Sequence, residues 1–445
     1  MNQSTEMTDH GRLAQPAGPG NRESNLSSKP STVVIIGPPW LRSGASRVMK
    51  NQIDYYRQRG FHTVFVVVPF HWGFMRSSPV WDQINEEILE LGAHDSFVAP
   101  LDENRYLAAK YTASLRHACR GTALDWAFAM GNSVRLPEDL VQFVGRMPVT
   151  LLHANYVQTL GFARRLRRKS GSRDARMPII LETHDVQSHL LEECRELNPW
   201  THKPDPLERS IQSEFSLLEK ADVLVHLSVD DFRFFQIGMP QKPHVLAMPT
   251  LDEEYISAVN RTSPSKDSID LLFVGQNHVP NLAAMKWFFE QVWPLLADNR
   301  YNLKIVGAVA TLVNEKLPRV FETFRSCFVG PVVDLAPYYS SARCVIAPMV
   351  SGSGTSIKTI EALAIGKPFV GTLKAFRGMP IERINALGVQ SYDTPRAFAD
   401  GVVRILANEQ RASVQSRAVY DSIFSVQANF ASRDEAVRAA KSGKK

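Results

Sequence analysis

The chain alternates short apolar runs with longer segments of helical periodicity. Runs of this length, rich in Val, Ile and Leu and bounded by turn residues, are typical of buried strands, whereas the period between them indicates amphipathic helices. In the first half the apolar runs are Thr32–Gly37, His62–Val68, Val149–Asn155, Pro178–Leu181 and Asp222–Ser228. Strands that alternate with helices predict an α/β fold built on a parallel sheet.

The same order restarts in the second half, after a polar stretch. Residues Pro249–Ser268 contain TSPSKDS and show no periodicity, which predicts a linker between two domains. Further strands are predicted at Asp270–Val274, Tyr301–Val306, Phe328–Val332, and in the runs beginning at Cys344 and Phe369. We therefore expect a doubly wound domain at 31–250, a linker at 251–268, a second such domain at 269–410, and a helical segment at 411–445.

Composition narrows the class of protein. The 445 residues are 44% hydrophobic and 22% charged, and no apolar run approaches the ~20 residues of a membrane span. Residues 1–30 are polar and lack the apolar core of a secretory signal, so we expect a disordered tail. Four cysteines are widely spaced, which indicates neither a disulfide framework nor a zinc site and fits a reducing cytoplasm. The net charge of +6 favours anionic partners without choosing among them.

The strongest chemical signal lies in Cys344–Thr372. A short strand ends at Pro348, Gly352 and Gly354 follow, and a helical pattern then places Lys358 and Glu361 on one face. A glycine-rich turn before a helix N-terminus offers backbone N–H groups and a positive dipole to an anion such as phosphate. The spacing matches neither the P-loop nor the dinucleotide fingerprint, because the Lys-Ser/Thr pair and the third glycine are absent.

This stretch resembles the donor-sugar signature of retaining glycosyltransferases of family 4, G-x-G-T-x-x-K-x-x-E-A-x-A-x-G-x-P. The matching positions are Gly352, Gly354, Thr355, Lys358, Glu361, Ala362, Ala364, Gly366 and Pro368. The resemblance extends over most of residues 31–410 and includes FVGQNHVPNLAAMKWF at the start of the second half. It implies the GT-B fold, in which two Rossmann-like domains face each other across a cleft and the last helix commonly crosses back to the first domain.

The resemblance also implies roles for individual residues. His153, Lys358 and Glu361 correspond to the catalytic residues: His153 would contact the transferred sugar, Lys358 the phosphates and Glu361 the ribose. Donor binding is implied for Gly44, Gly275, Asn277, Gly330, Val332, Ser353, Gly354, Thr355 and Ser356. His184 and Asp185 are secondary candidates, because the resemblance matches Glu182-Thr183-His184-Asp185 to a family segment, T-x-H-D, that lines the cleft. No cofactor or metal is expected, because the chain has no D-x-D, and His184 and His189 are poorly spaced as ligands.

The activity implied is metal-independent transfer of a hexosyl group, with retention, from a nucleoside diphosphate sugar to a glycan or lipid-linked acceptor in polysaccharide or glycoconjugate synthesis. Two departures from the family matter. Ser353 stands where many members carry a second glutamate, and Gln276–His278 occupy a loop that often holds a basic residue. Two alternatives therefore stay open: a sugar-nucleotide epimerase on the same fold, and a nucleotide-sugar-binding module without catalysis.

One helical segment, Val157–Ser170, carries a dense basic face. Its cations are Arg164, Arg165, Arg167, Arg168 and Lys169. A solvated face, a contact with an anionic membrane and a nucleic-acid patch all fit such a run. The lack of interleaved aromatic residues and of any nucleic-acid motif argues against nucleic acid. The expected location is the cytoplasm, with a peripheral contact at the inner membrane face.

Overall fold

The computed structural model describes residues 12–13, 30–39, 44–69, 80–100, 103–119, 121–169, 177–193, 205–264, 268–296, 300–352 and 354–443. These residues form two compact units. The first unit comprises the described residues up to Leu227, together with Asp231–Leu246 and the residues from Ser432 onwards. The second comprises Ser228–Asp230 and Ala247–Ala431.

The first unit is built on one sheet. Its strands are β1 (Arg12–Leu13), β2 (Thr32–Gly37), β3 (His62–Val67), β4 (Asp95–Val98), β5 (Val149–Asn155), β6 (Ile179–Glu182), β7 (Val223–His226) and β8 (His244–Leu246). Their order is β1-β4-β3-β2-β5-β6-β7-β8, and all neighbours are parallel except β1 and β4. The central strands are buried along their length because helices cover both faces, as is usual for parallel sheets.

Nine helices of the first unit lie within the described residues. They are α1 (Gly44–Gln58), α2 (Val80–Glu90), α3 (Glu103–Cys119), α4 (Ala123–Ser133), α5 (Glu138–Arg146), α6 (Val157–Lys169), α7 (Gln187–Glu193), α8 (Leu207–Leu218) and α9 (Val229–Gly238). The core joins the sheet to the inward residues of these helices, such as Leu160 and Leu166 on α6. The segment expected to be a disordered tail contributes one structured piece, since Arg12–Leu13 pairs antiparallel with β4.

The second unit has a five-stranded sheet that is parallel throughout, in the order β11-β10-β9-β12-β13. Its elements are α10 (Glu253–Arg261), β9 (Ile269–Val274), α11 (Val279–Trp287), β10 (Leu303–Val306), α12 (Val309–Lys316), α13 (Pro318–Thr323), β11 (Phe328–Gly330), α14 (Ala336–Ser341), β12 (Ala342–Ala347), α15 (Ile357–Ala364), β13 (Phe369–Gly371), α16 (Ile381–Ala386), α17 (Pro395–Leu406) and α18 (Glu409–Val419). The last helix, α19 (Val426–Ser442), starts in the second unit, and its residues from Ser432 onwards belong to the first. Two parallel α/β sheets confirm the predicted fold class.

The segment that we expected to be an aperiodic linker contains a helix, α10. Asp252 caps it by accepting a hydrogen bond from the Glu254 backbone at 2.8 Å, and its inward residues Ile256 and Val259 are buried. Only these two apolar positions mark the helical period in a polar stretch, which is why the pattern was too weak to predict it. The helix brings Tyr255 into the second unit, where it contacts the candidate site.

Candidate functional site

The carboxyl ends of the strands of the second unit meet at one edge, where ligands bind in open α/β sheets. Backbone contacts join the loops after β9, β10 and β11: Gly275 N–H donates to Val306 O at 2.9 Å, and Gly307 N–H donates to Gly330 O at 2.8 Å. Gly307 has φ +108°, and a β-carbon there would collide with the Gly275 carbonyl oxygen. The predicted site residues Gly275 and Gly330 therefore lie in one tightly packed rim.

The glycine turn that follows β12 has the conformation its sequence requires. Gly352 has φ +120° and Gly354 has φ +62°, both in the left-handed region that other residues rarely adopt. Helix α15 starts directly after Ser356, whose side chain makes no capping hydrogen bond to it, and its first turn carries no acidic residue. This is the arrangement expected of an anion-binding turn. Ser353 lies outside the described residues.

Lys358, on the first turn of α15, links this turn to the loop after β9. Its Nζ donates to Asn281 Oδ1 at 2.5 Å and lies 4.6 Å from the centre of the Phe273 ring. Asn281 in turn donates to Gln276 O at 2.8 Å. Burial and, to a lesser extent, the positive charge of Arg377 lower the pKa of Lys358 to about 7, and the charge of Glu361 opposes the shift. An anion that binds beside this buried lysine would stabilise its charged form and raise its pKa.

Glu361 lies one turn after Lys358, and its carboxylate is held from two sides. Tyr255 OH donates to Oε1 at 2.6 Å, and Tyr339 OH donates to Oε2 at 2.9 Å. The residue is 4% exposed, so these bonds replace water around a charged group. The structure thus brings Lys358 and Glu361 together at the carboxyl edge, as the sequence pattern predicts.

The other residues expected to bind the donor surround this helix or the rim. Thr355 lies against Gly378, since a β-carbon on Gly378 would meet Thr355 Oγ1. Ser356 is buried beneath the turn. Asn277 is exposed in the loop after β9, and Val332 lies partly buried just beyond β11. Donor binding by these residues stays a prediction.

Arg377 is a functional candidate that sequence reasoning missed. Its guanidinium lies against the glycine turn, because a β-carbon at Gly352 would come within 3.3 Å of its Cζ and Nε. It follows β13 by six residues, in the short helical segment and turn after Thr372, so its place at a carboxyl strand end was the available signal. Arg377 and Lys358 together place two cations beside the turn. They can supply the positive charge that the loop at Gln276–His278 lacks.

In the first unit, His153 lies in the interior and not at an edge. It is 2% exposed, and β5 continues to Asn155 before it ends. Its Nε2 contacts Glu182 Oε2 at 3.1 Å and its Nδ1 contacts Tyr56 OH at 2.9 Å. A carboxylate only accepts, so Nε2 donates and Nδ1 accepts from the tyrosine. Burial lowers the pKa of His153, and both nitrogens of the neutral ring are used internally. The geometry favours a structural role over the predicted contact with a sugar.

Glu182 is the centre of this internal network. Arg433 on α19 makes two hydrogen bonds to its carboxylate, at 2.9 and 3.1 Å, and Gln52 donates to it at 2.7 Å. Burial raises the pKa of Glu182, but Arg433 and His153 outweigh burial and hold it well below the ordinary range. The last helix is thereby fixed to the sheet of the first unit through a bidentate, buried ion pair.

His184 lies two residues beyond the end of β6 and is 7% exposed. It has φ +63°, and its ring stacks on Tyr156, which has φ +66°, at a centroid distance of 4.0 Å. Two left-handed residues at the carboxyl ends of β5 and β6 store strain of the kind found at functional sites. His184 Nε2 contacts Asn155 Oδ1 at 2.9 Å, so Nε2 carries the proton.

Burial lowers the pKa of His184 to about 4, which keeps the ring neutral near pH 7. Its Nδ1 has no hydrogen-bond partner among the described residues and remains an acceptor. Asp185, the other secondary candidate, is partly buried next to His184. Gly44, which was expected to bind the donor, is the first residue of α1, after β2.

The basic face of α6 is largely used within the first unit. Arg165 donates to Val134 O at 2.7 Å, at the end of α4, and Arg167 pairs with Asp222 at 2.9 Å. Burial and the nearby charges of Arg105 and Arg168 lower the pKa of Arg165 to about 10. Arg164 is partly buried, which leaves Arg168 and Lys169 as the exposed cations of the run.

Two features are absent from the part of the chain that the structure describes. No group of three or more His, Cys, Asp or Glu side chains within them has the geometry to hold a metal ion. Of the helices they form, none is both long and apolar enough to cross a membrane.

Comparison with known proteins adds a family match to part of the chain and a fold. Residues 268–408 match the sequence model of the family described as glycosyl transferases group 1. No match was found among curated proteins. The structure is similar to that of Anabaena Alr3699/HepE in complex with UDP, with a TM-score of 0.58 and 12% identity over 92% of this chain and 100% of that one.

Two further structures are similar over nearly the whole chain. A glycosyltransferase from Rickettsia africae ESF-5 has a TM-score of 0.57 and 12% identity, covering 91% of this chain and 97% of its own. A UDP-forming alpha,alpha-trehalose-phosphate synthase from Burkholderia vietnamiensis has a TM-score of 0.56 and 13% identity, covering 93% and 100%. The chain thus has the GT-B fold, and the match of residues 268–408 to the group 1 model supports a glycosyltransferase.

Proposed function

We propose that the protein transfers a hexosyl group from a nucleoside diphosphate sugar to a glycan or lipid-linked acceptor, with retention at the anomeric carbon. One observation carries the proposal: a glycine turn leads into α15, where Lys358 and Glu361 lie one turn apart. The donor class is supported by the Anabaena protein, whose structures hold UDP, UDP with glucose, and UDP-glucose.

The proposed reaction requires the site to stabilise the leaving group and to hold the nucleoside in place. When the bond from the anomeric carbon to the β-phosphate oxygen breaks, negative charge grows on the diphosphate. Lys358, Arg377 and the N–H groups of the turn would stabilise that charge without a metal ion. Glu361 would accept hydrogen bonds from the ribose hydroxyls and so fix the nucleoside. In the first unit, His184 would offer an acceptor nitrogen to a substrate hydroxyl, whereas both ring nitrogens of His153 already have hydrogen-bond partners.

Transfer can be tested directly. Purified protein is incubated with labelled UDP-, GDP- and ADP-sugars and a cell-envelope lipid extract, and release of nucleoside diphosphate is measured with and without the extract. We expect release that depends on the acceptor, and NMR of the product should show the anomeric configuration of the donor. Binding of a sugar nucleotide with no release under any condition would refute the enzyme.

Substitutions assign the roles. Lys358→Met and Glu361→Gln should each lower turnover by about 100-fold, the range seen when a group that stabilises developing charge or fixes a substrate is removed. Both variants should keep the wild-type circular dichroism spectrum and a cooperative thermal transition. Lys374→Met, an exposed cation in the same unit, is the control and should keep wild-type turnover. Either site variant with wild-type turnover would exclude that residue.

A second candidate is a module that binds nucleotide sugars without transferring them. The observation in its favour is the internal hydrogen bonding of His153, which removes an expected sugar contact. This module would bind a donor as tightly as a transferase does but would release no nucleoside diphosphate. The transfer assay above separates the two.

We also propose a peripheral contact with an anionic bilayer, through the first unit. Helix α3 exposes an apolar stripe of residues spaced four apart, Leu107, Tyr111 and Leu115, with Tyr111 69% exposed. Arg105 and Lys110 are exposed on the same helix, and Arg105 is near enough to α6 to affect Arg165. An apolar stripe bordered by cations suits the interface of an anionic membrane.

The membrane contact is tested by sedimentation with vesicles of phosphatidylcholine, with or without phosphatidylglycerol. We expect pelleting only with the anionic vesicles, and a loss of it in Leu107→Gln/Tyr111→Gln/Leu115→Gln and in Arg168→Gln/Lys169→Gln. Arg396→Gln, in the second unit, is the matched charge control. Equal pelleting of all variants would refute the contact.

A further inference from the structure

We propose that Tyr255 and Tyr339 are positioning residues that orient the Glu361 carboxylate toward the ribose of a bound nucleotide. The inference rests on the proposed function, because it concerns the same carboxylate. It assigns to α10, in the stretch first expected to be a linker, a part in donor recognition. It also identifies two residues outside the family signature on which the site depends.

The geometry is that of a clamp. The two phenol hydroxyls donate to different oxygens of one carboxylate, at 2.6 Å from Tyr255 and 2.9 Å from Tyr339. Fixing both oxygens sets the rotation of the carboxylate plane, which a single bond would leave free. Hydrogen bonds to an ionised acceptor are about twice as strong as those between neutral groups. A carboxylate can accept about four hydrogen bonds, which is more than two phenols donate.

The helices that carry the tyrosines are themselves fixed. The Asp252 cap holds the start of α10. Beyond its end, Thr262 O accepts a hydrogen bond from Ser340 Oγ on α14 at 2.5 Å. Tyr339 is completely buried, and Ser341, two residues further along α14, donates to Pro337 O at 2.7 Å. Both phenols therefore approach Glu361 from positions that the surrounding structure defines, as a preorganised site requires.

Hydroxyl donors suit this role better than a second cation. A lysine or arginine on Glu361 would compete with Lys358 for the same negative charge and would itself need to be desolvated. Phenols satisfy the buried carboxylate while leaving its charge to attract donors, including the hydroxyls of a ribose. Since Lys358 already gains from the charge of Glu361, the clamp also serves the cation one turn away.

The test uses ribose discrimination, which a purely structural role would not change. Dissociation constants are measured for UDP, GDP and ADP on the full chain, and for the 2′,3′-dideoxy analogue of the tightest of the three. The variants are Tyr255→Phe, Tyr339→Phe and the double variant. Phenylalanine keeps the ring and its packing, so each variant should fold, and thermal unfolding checks this.

Tyr338→Phe is the matched control. Tyr338 precedes Tyr339 on α14, is partly buried, and its hydroxyl has no hydrogen-bond partner among the described residues. This substitution should leave both dissociation constants unchanged.

We expect wild type to prefer the ribonucleotide over its dideoxy analogue by about tenfold or more, as for hydrogen bonds to a charged group. Each tyrosine variant should lose several-fold of this preference, and the double variant should bind the two ligands nearly equally. A wild-type preference in the double variant would overturn the inference while leaving the proposed function standing. Failure of wild type to bind any of the three nucleotides would overturn both.

Discussion

Donor binding should depend on pH through Lys358. Burial and Arg377 lower the pKa of this ammonium to about 7 in the free protein, whereas its charged form is the one that binds a diphosphate. Nucleotide sugars keep the same charge across neutral pH, because both phosphates are esterified and fully ionised. The pH dependence of their affinity therefore reports on the protein.

The magnitude follows from the fraction of charged lysine. With a pKa of about 7, about nine-tenths of the free protein carries the charge at pH 6 and about one-tenth at pH 8. Binding of the anion raises the pKa of Lys358, so the dissociation constant should rise about tenfold from pH 6 to pH 8. The affinity for the nucleotide sugar therefore falls as pH rises.

Titration calorimetry with UDP-glucose, GDP-mannose and ADP-glucose at pH 6, 7 and 8 measures this, using the donor that binds. Lys358→Arg supplies a cation that stays charged throughout, and its dissociation constant should be independent of pH. Lys374→Met, at an exposed position of the same unit, should keep the wild-type profile. A wild-type dissociation constant that is constant from pH 6 to pH 8 would refute the role given to Lys358.

Three further predictions concern stability. Arg433→Met leaves Glu182 buried without its cation, so urea denaturation should show a free energy of unfolding lower by about 3–5 kcal/mol. Adding Glu182→Gln should recover part of this loss. A double variant that is no more stable than Arg433→Met would contradict the pairing. Gly307→Ala drives a β-carbon into the Gly275 carbonyl. It should lower the free energy of unfolding by about 1–3 kcal/mol more than Gly60→Ala does, because Gly60 has φ +77° but open space around it. Equal melting temperatures of the two variants would show that the rim can relax. Lys358 binds its proton more tightly in the unfolded chain than in the folded one. The difference in free energy of unfolding between wild type and Lys358→Met should therefore shift in favour of wild type from about pH 7 to about pH 10. A difference that does not change over this range would contradict the lowered pKa.

The parts of the molecule that could be predicted are those encoded by local pattern. The strands β2 and β5 coincide with their apolar runs, because a buried parallel strand excludes polar residues along its length. The glycine turn was also visible, since positive φ at Gly352 and Gly354 demands that residue type. Lys358 and Glu361 follow from helical spacing alone.

What could not be predicted depends on tertiary contacts. Tyr255 and Tyr339 lie 106 and 22 residues from Glu361 along the chain, and only folding brings their hydroxyls together. Arg377 joins Lys358 for the same reason. The sequence placed His153 near the carboxyl end of its strand, but neither Tyr56 nor Glu182 could be assigned as its partner from sequence.

The most direct test of the central claim is hydrogen–deuterium exchange of the full chain with and without a bound nucleotide sugar. The account predicts slower exchange in the turn and first part of α15, residues 350–362, and in the loop at 275–281, whose Gln276 and Asn281 connect to Lys358. It predicts no change at the pocket lined by Arg396, Asp400 and Arg404 in the same unit. Saturating ligand that leaves exchange at 350–362 unaltered would contradict the claim that this turn binds the donor.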